Sequence, residues 1–199
     1  MRYPVMAVAA TLSLTASGAA NAVTVGTARD TVHVLVAYYT MSGNTEELAN
    51  AVAEGARSVP EAIVTLKPVS EVANADLETA DAVLIGSPTW WGTVAAPVKQ
   101  FIDDQHPFLG DRVGGAFATG GGDGAGKELV VLSLLASMLN YGMIVVGPHY
   151  EEAGFQFGGF GVAVTTGEDS PGVDDAEKSR GRLLGERVAR VATRLKAAE

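Results

Sequence analysis

From Val32 onward the chain alternates short, unbroken runs of β-favouring residues with stretches at helical spacing. Val32 to Tyr38 (VHVLVAY) lacks the in–out alternation of a half-exposed strand, which marks a strand covered on both faces. Asn44 to Arg57 then sets Leu48, Val52 and Ala56 on one side of a helix. Further strands are predicted at Ile63–Val69, Asp81–Ser87 and Val113–Thr119, with Met143–Val146 and Val162–Thr165 as pieces of a fifth. Asp76, Glu78 and Asp81 read as a polar turn. Helices are predicted over Val94–Asp104, with Pro97 tolerated in the first turn, and over Lys127–Tyr141, ended by Gly142. A long last helix covers Asp174–Lys196, with Leu183, Val188, Val191 and Leu195 on its apolar side. A chain built this way closes into one doubly wound α/β domain around a parallel sheet. Ligands of such sheets sit at the carboxyl ends of the strands, so function is expected in the loops after strands one, three and four.

Composition narrows the chemistry. The chain is 47% hydrophobic and 19% charged, enough to bury a core. Its formal net charge of -9 gives no electrostatic reason to hold nucleic acid or an anionic membrane. With no cysteine, disulfides, thiolate metal sites and thiol catalysis are excluded. His33, His106 and His149 are scattered, so no His-based metal site is expected. Residues 1–22 hold one charge, Arg2, then an apolar run from Val5 to Leu14, then Ala20-Asn21-Ala22. These are the three parts of a secretory signal peptide, and the run is too short for a membrane span. Export by the Sec route is therefore expected, since no twin arginine is present, with a periplasmic or secreted product; without a working leader the protein is cytoplasmic. Residues 23–31 form a tether, and 32–199 the folded domain.

Three loops carry the chemistry. The first, Thr40, Met41, Ser42, Gly43, Asn44 and Thr45, runs straight into a helix. Hydroxyls, a glycine and a helix N-terminus make an anion site. It lacks the lysine of a nucleoside-triphosphate loop and the glycine pattern of a dinucleotide loop, which leaves a monophosphate held by neutral donors. The alternative is a plain helix start capped by Ser42 or Asn44. The second loop, Pro88, Thr89, Trp90, Trp91 and Gly92, holds both tryptophans of the chain. It is either a wall for a flat ring or a hydrophobic lid over the core. The third, Thr119, Gly120, Gly121, Gly122, Asp123 and Gly124, continuing to Gly126, lets backbone N–H groups approach a ligand. The alternative is a mobile surface turn, with Asp123 solvated. Taken together the loops suit flavin mononucleotide (FMN): one phosphate, a flat ring with a pyrimidine edge, and a ribityl chain between.

At these residues the chain resembles the flavodoxin-like superfamily, and within it the WrbA-type NAD(P)H:quinone oxidoreductases. The resemblance rests on YYTMSGNTEELANAVAEGA, GSPTWWGTVAAPVKQFID, LNYGMIVV and TTGEDSPGVDDAEKSRGRLLGERVARVATRL. It implies a three-layer flavodoxin-like sandwich with a five-stranded parallel sheet in the order 2-1-3-4-5. It assigns Thr40 to Thr45 to the phosphate, Thr89 to Trp91 to the ring, and Thr119 to Gly124 to the ring edge and ribityl chain. Tyr141 stands where the family often has a histidine that reaches the flavin of a neighbouring subunit, and the resemblance implies a homodimer or homotetramer. Phe108, in a shortened stretch between Asp104 and Val113, stands in for an aromatic over the substrate.

The implied activity is two-electron transfer from NAD(P)H through FMN to a quinone or similar small acceptor. The chemistry belongs to the cofactor, so no catalytic side chain is expected. Glu151 and Glu152 read as solvated. The alternatives are a flavodoxin-like one-electron carrier and an exported protein that keeps the fold without flavin.

Overall fold

The computed structural model describes residues 31–122, 124–149, 159–166 and 172–198. The leader, nearly all of the tether, Asp123, Glu151, Glu152, Phe155 and Phe157 lie outside the described residues.

The strands are β1 (Val32–Tyr38), β2 (Ala62–Pro68), β3 (Ala82–Trp90), β4 (Thr93–Val94), β5 (Val113–Gly120), β6 (Ile144–Val145) and β7 (Val162–Thr165). The helices are α1 (Asn44–Arg57), α2 (Asn74–Thr79), α3 (Ala96–Gln105), α4 (Lys127–Asn140) and α5 (Asp175–Lys196). The sheet runs β2-β1-β3-β5, all parallel, and β6 and β7 share the next position. β6 pairs with the start of β5 at Val113 and Gly114, and β7 with its end from Phe117 to Gly120. The predicted order 2-1-3-4-5 therefore holds, with the fifth strand split in two.

Alternation along β1 builds two cores. Val34, Val36 and Tyr38 face α1 and α5, while Leu35 and Ala37 face the side of α3 and α4. Three expectations need correction. β3 does not stop at Ser87: Pro88 stays in the ladder opposite Thr119, and the strand runs to Trp90 before folding back on β4. A proline is compatible here because the ladder continues through neighbouring backbone groups near the strand end. The polar stretch around Asp76 is not a turn but the short helix α2, whose first turn is closed by the Asp76 carboxylate accepting from the Ala73 N–H at 2.8 Å.

The third correction is the buried side of α5. Val188 is buried as expected and Val191 packs on the core, but the rest of the buried side is Gly181, Leu184, Gly185, Ala189 and Ala192, whereas Leu195 is 40% exposed and Leu183 half-buried. The reason is proximity. A Cβ at Gly55 would fall 1.9 Å from the Arg182 carbonyl oxygen, and one at Gly185 1.9 Å from that of Val52. Glycines let α1 and α5 approach backbone to backbone, a spacing that larger side chains would forbid. The same junction is tied at its head. Lys178 Nζ pairs with Glu47 at 2.6 Å, and the Val173 N–H donates to the other oxygen at 3.1 Å. The lysine bond first, then the backbone bond, holds the Glu47 carboxyl below its usual range.

Candidate functional site

The three loops meet at the carboxyl edge of the sheet. The loop after β1 is closed by the Gly43 N–H donating to Thr40 Oγ1 at 2.9 Å. Gly43 is the N-cap of α1 with φ of 92°, and no side chain caps the helix. A start capped by Ser42 or Asn44 is thus ruled out, and the first-turn N–H groups have no side-chain acceptor among the described residues. Met41 and Ser42 are exposed at the mouth. The two acidic residues of that turn are engaged elsewhere: Glu47 as above, and Glu46 by the Tyr38 hydroxyl at 3.0 Å. Burial, then the Glu46 bond, pushes that phenol up to about 12, so it stays a neutral donor.

Thr45 differs from its loop neighbours. Its side chain is 1% exposed, and its hydroxyl shares a 2.8 Å hydrogen bond with that of Thr119. It fastens the first loop to the end of β5, so Ser42 is the hydroxyl left facing outward.

The tryptophans lie on a β-hairpin. Trp90 pairs with Thr93, and the two residues between, Trp91 and Gly92, have φ of 51° and 78°. Two positive values are the mark of the type I′ turn, which normally selects asparagine, aspartate or glycine. A tryptophan there is strained, and its indole is 101% exposed. Trp90 instead meets Tyr39 edge to face, 5.4 Å between centroids. The hairpin base is pinned by Ser87, whose Oγ accepts from the Ala95 N–H at 3.1 Å and donates to the Pro88 carbonyl at 2.7 Å. Neither tryptophan is a core lid. Replacing Trp91 by glycine is expected to leave stability unchanged or raise it by up to about 1 kcal/mol, because turn strain is relieved and no burial is lost. Thermal melts check this; a clear loss would mean that the indole packs on the body of the protein.

The glycine loop closes the circle. β5 extends through Thr119 and Gly120, so the loop proper begins at Gly121. A Cβ at Gly120 would lie 3.2 Å from both Thr89 Oγ1 and Lys127 Cβ, and one at Gly126 3.0 Å from Gly92 Cα. Gly126, with φ of 90°, is the N-cap of α4, again without a side-chain cap. Between hairpin and glycine loop, Thr89 Oγ1 is buried without a hydrogen-bond partner among the described residues. An orphaned buried hydroxyl is costly unless something completes it. A cofactor with polar ring-edge atoms and one phosphate fits this donor set: neutral hydroxyls, uncapped helix starts and aromatic faces. Flavin mononucleotide meets that description.

Phe108 and Tyr141 are not brought to these loops. α4 begins at the site with Lys127 and carries the chain about 20 Å away, at 1.5 Å per residue. Tyr141 follows its end, 5.6 Å from the His106 ring, and Phe108 lies on the same turn as His106. Within one chain both stand at the opposite end of the sheet. Tyr39 and Lys127 were missed from the sequence. Tyr39 falls between the end of the predicted strand at Tyr38 and the loop that starts at Thr40, and Lys127 looked like an ordinary first-turn residue.

Residues 35–129 match the Flavodoxin domain family. The chain is 39% identical to a protein named flavodoxin from Aquifex aeolicus over 160 residues, 78% of this chain and 84% of that one. It is 32% identical to an NAD(P)H dehydrogenase (quinone) of Azorhizobium caulinodans over 195 residues, 81% of this chain and 98% of that one. Among solved structures it resembles a WrbA-like flavodoxin from Agrobacterium tumefaciens, with a TM-score of 0.66, 25% identity, and 82% and 99% of the two chains covered.

Proposed function

The chain belongs to the flavodoxin-like family, alongside proteins named NAD(P)H dehydrogenase (quinone), and from that premise we propose that it is an FMN-dependent NAD(P)H:quinone oxidoreductase. The observation that carries the reading is the unsatisfied Thr89 hydroxyl between a strained tryptophan hairpin and a glycine loop. FMN supplies the two-electron chemistry. The protein's part is to bind, orient and exclude water. Ser42 and the first-turn N–H groups of α1 hold the phosphate. Thr89 would bond the ring edge, Trp90 and Trp91 would offer aromatic faces, and the backbone at Gly120, Gly121, Gly122 and Gly124 would donate along the ring edge and ribityl chain. With the leader of residues 1–22, the reading extends to a reductase acting after export.

An FMN titration of the chain from Val23 tests this. Binding should be saturable and the complex yellow. Ser42→Ala should weaken it at least about tenfold, since a hydrogen bond to a charged group is worth about 1.5–3 kcal/mol, without lowering the melting temperature. Thr45→Ala should cost about 1 kcal/mol of stability by orphaning Thr119. No binding by the wild-type chain refutes the reading. A second reading, a one-electron carrier, is favoured by the relative named flavodoxin. Anaerobic NADH separates the two, because only the reductase is bleached by it.

Self-association belongs to the same proposal. α4 leaves Leu129, Leu132 and Leu139 exposed at 62%, 38% and 58%, and Ile144 beyond it at 46%. This uncharged stripe begins beside the site and ends at Tyr141. A second copy covering it would bring the Phe108–Tyr141 end of one chain toward the loops of another. Leu132→Glu with Leu139→Glu is expected to turn an oligomer into a monomer by light scattering at micromolar concentration. A monomeric wild-type chain would reject the assembly.

A further inference from the structure

Lys127 is a cation where the fold gives little reason for one. Its side chain is buried, with 5% of the residue exposed. It stands at the first position of α4, the positive end of the helix dipole, where a positive charge is disfavoured. Its stem lies against Gly120, where a Cβ would stand 3.2 Å from Lys127 Cβ and 3.2 Å from Thr89 Oγ1. Its ammonium donates to the Gly122 carbonyl at 3.3 Å and pairs with Glu128 at 3.2 Å. Both contacts are long for a charge-assisted bond, and Glu128 is 38% exposed, so water weakens that pairing. An ammonium has three donors, and the two contacts leave it incompletely compensated. A buried charge so placed is best completed by an anion.

Resting on the FMN reading above, we propose that Lys127 is a positioning residue for charge: it favours the two-electron-reduced cofactor over the oxidised one, and so raises the potential of the bound couple. Oxidised flavin has a neutral ring, whereas the reduced ring at neutral pH carries a negative charge at its pyrimidine edge. Charge placed near that edge is one of the levers by which a protein tunes a flavin. The ammonium reaches the Gly122 carbonyl of the glycine loop, the loop assigned above to the ring edge, whereas the phosphate loop is joined through Thr45 to Thr119. Its effect should therefore appear in the ring's redox state and not in phosphate affinity. A low-dielectric, water-poor position strengthens the interaction.

The test compares dissociation constants of oxidised FMN and dithionite-reduced FMN, under anaerobic conditions, for the full folded domain and three variants. Lys127→Met should weaken reduced FMN at least about tenfold relative to oxidised FMN, which for a two-electron couple lowers the potential by about 30 mV per tenfold. Lys127→Arg keeps the charge and should stay within a few-fold of wild type. Glu128→Gln removes the competing carboxylate and should shift the ratio the other way, toward the reduced form. Opposite shifts from Lys127→Met and Glu128→Gln are not produced by a lysine that only anchors the loop. If the ratio stays within twofold of wild type in Lys127→Met and Glu128→Gln, the proposal is overturned while the FMN reading stands. If Lys127→Met fails to fold, Glu128→Gln decides alone, and no rise in the ratio overturns the proposal. If the wild-type chain binds neither form of FMN, both fall.

Discussion

Gly120→Val should abolish FMN binding at working concentrations, a loss of at least about 100-fold or 2.7 kcal/mol. Gly120 ends β5 where hairpin, glycine loop and α4 come together, and even a Cβ there stands 3.2 Å from Thr89 Oγ1 and from Lys127 Cβ. Two further methyl groups would occupy the room between the Thr89 hydroxyl and the glycine loop, which the ring edge is proposed to use. Overpacking alone costs about 1–3 kcal/mol of stability, so a control must separate the two effects. Gly114→Ala overpacks the same strand at its other end, against Met138 Sδ at 2.9 Å. It should lower the melting temperature and leave FMN affinity within about twofold. Equal losses of affinity in both variants would mean that Gly120 matters only for folding.

The site was legible in the sequence as three loops, because loops after strands one, three and four of a parallel sheet share one edge whatever their details. Their internal architecture was not. Pro88 and two adjacent tryptophans read as a break, yet Pro88 continues the ladder and the break falls at Trp91-Gly92, where both φ values are positive. Nothing in a tryptophan's identity announces a left-handed conformation; only the two-residue spacing between Trp90 and Thr93 could have hinted at it. Thr45 and Ser42 look alike as loop hydroxyls, and their difference arises from a partner 74 positions away, Thr119. Lys127 left one signal, a lone basic residue directly after a glycine run, but its burial follows from how closely α4 starts against Gly120. The strands β1 and β5 were legible because their runs are covered on both faces and need no alternation.

The long C-terminal helix shows the same limit from the side of packing, and it carries the largest expected effect on stability. Of the predicted apolar side, Val188 is buried and Val191 packs on the core, but Leu183 and Leu195 lie off it, and the face that meets α1 passes through Gly181, Gly185, Ala189 and Ala192. A Cβ at Gly185 would come within 1.9 Å of the Val52 oxygen and 2.9 Å of the Ala56 nitrogen, both backbone atoms that no rotamer change can move. Gly185→Ala must therefore push the two helices apart along their whole contact, and is expected to cost about 3 kcal/mol. At about 2–4 °C per kcal/mol for a domain of this size, the melting temperature should fall by about 6–12 °C. Leu183→Ala, on the half-buried flank, should cost under about 1 kcal/mol although it removes three carbons where Gly185→Ala adds one. The displacement reaches function as well, because α1 starts at the proposed phosphate loop and is fastened to β5 through Thr45 and Thr119. FMN affinity should drop in Gly185→Ala even below its melting transition, and be unchanged in Leu183→Ala. If the two variants melt alike, the close approach of α1 and α5 is not what holds the site in place.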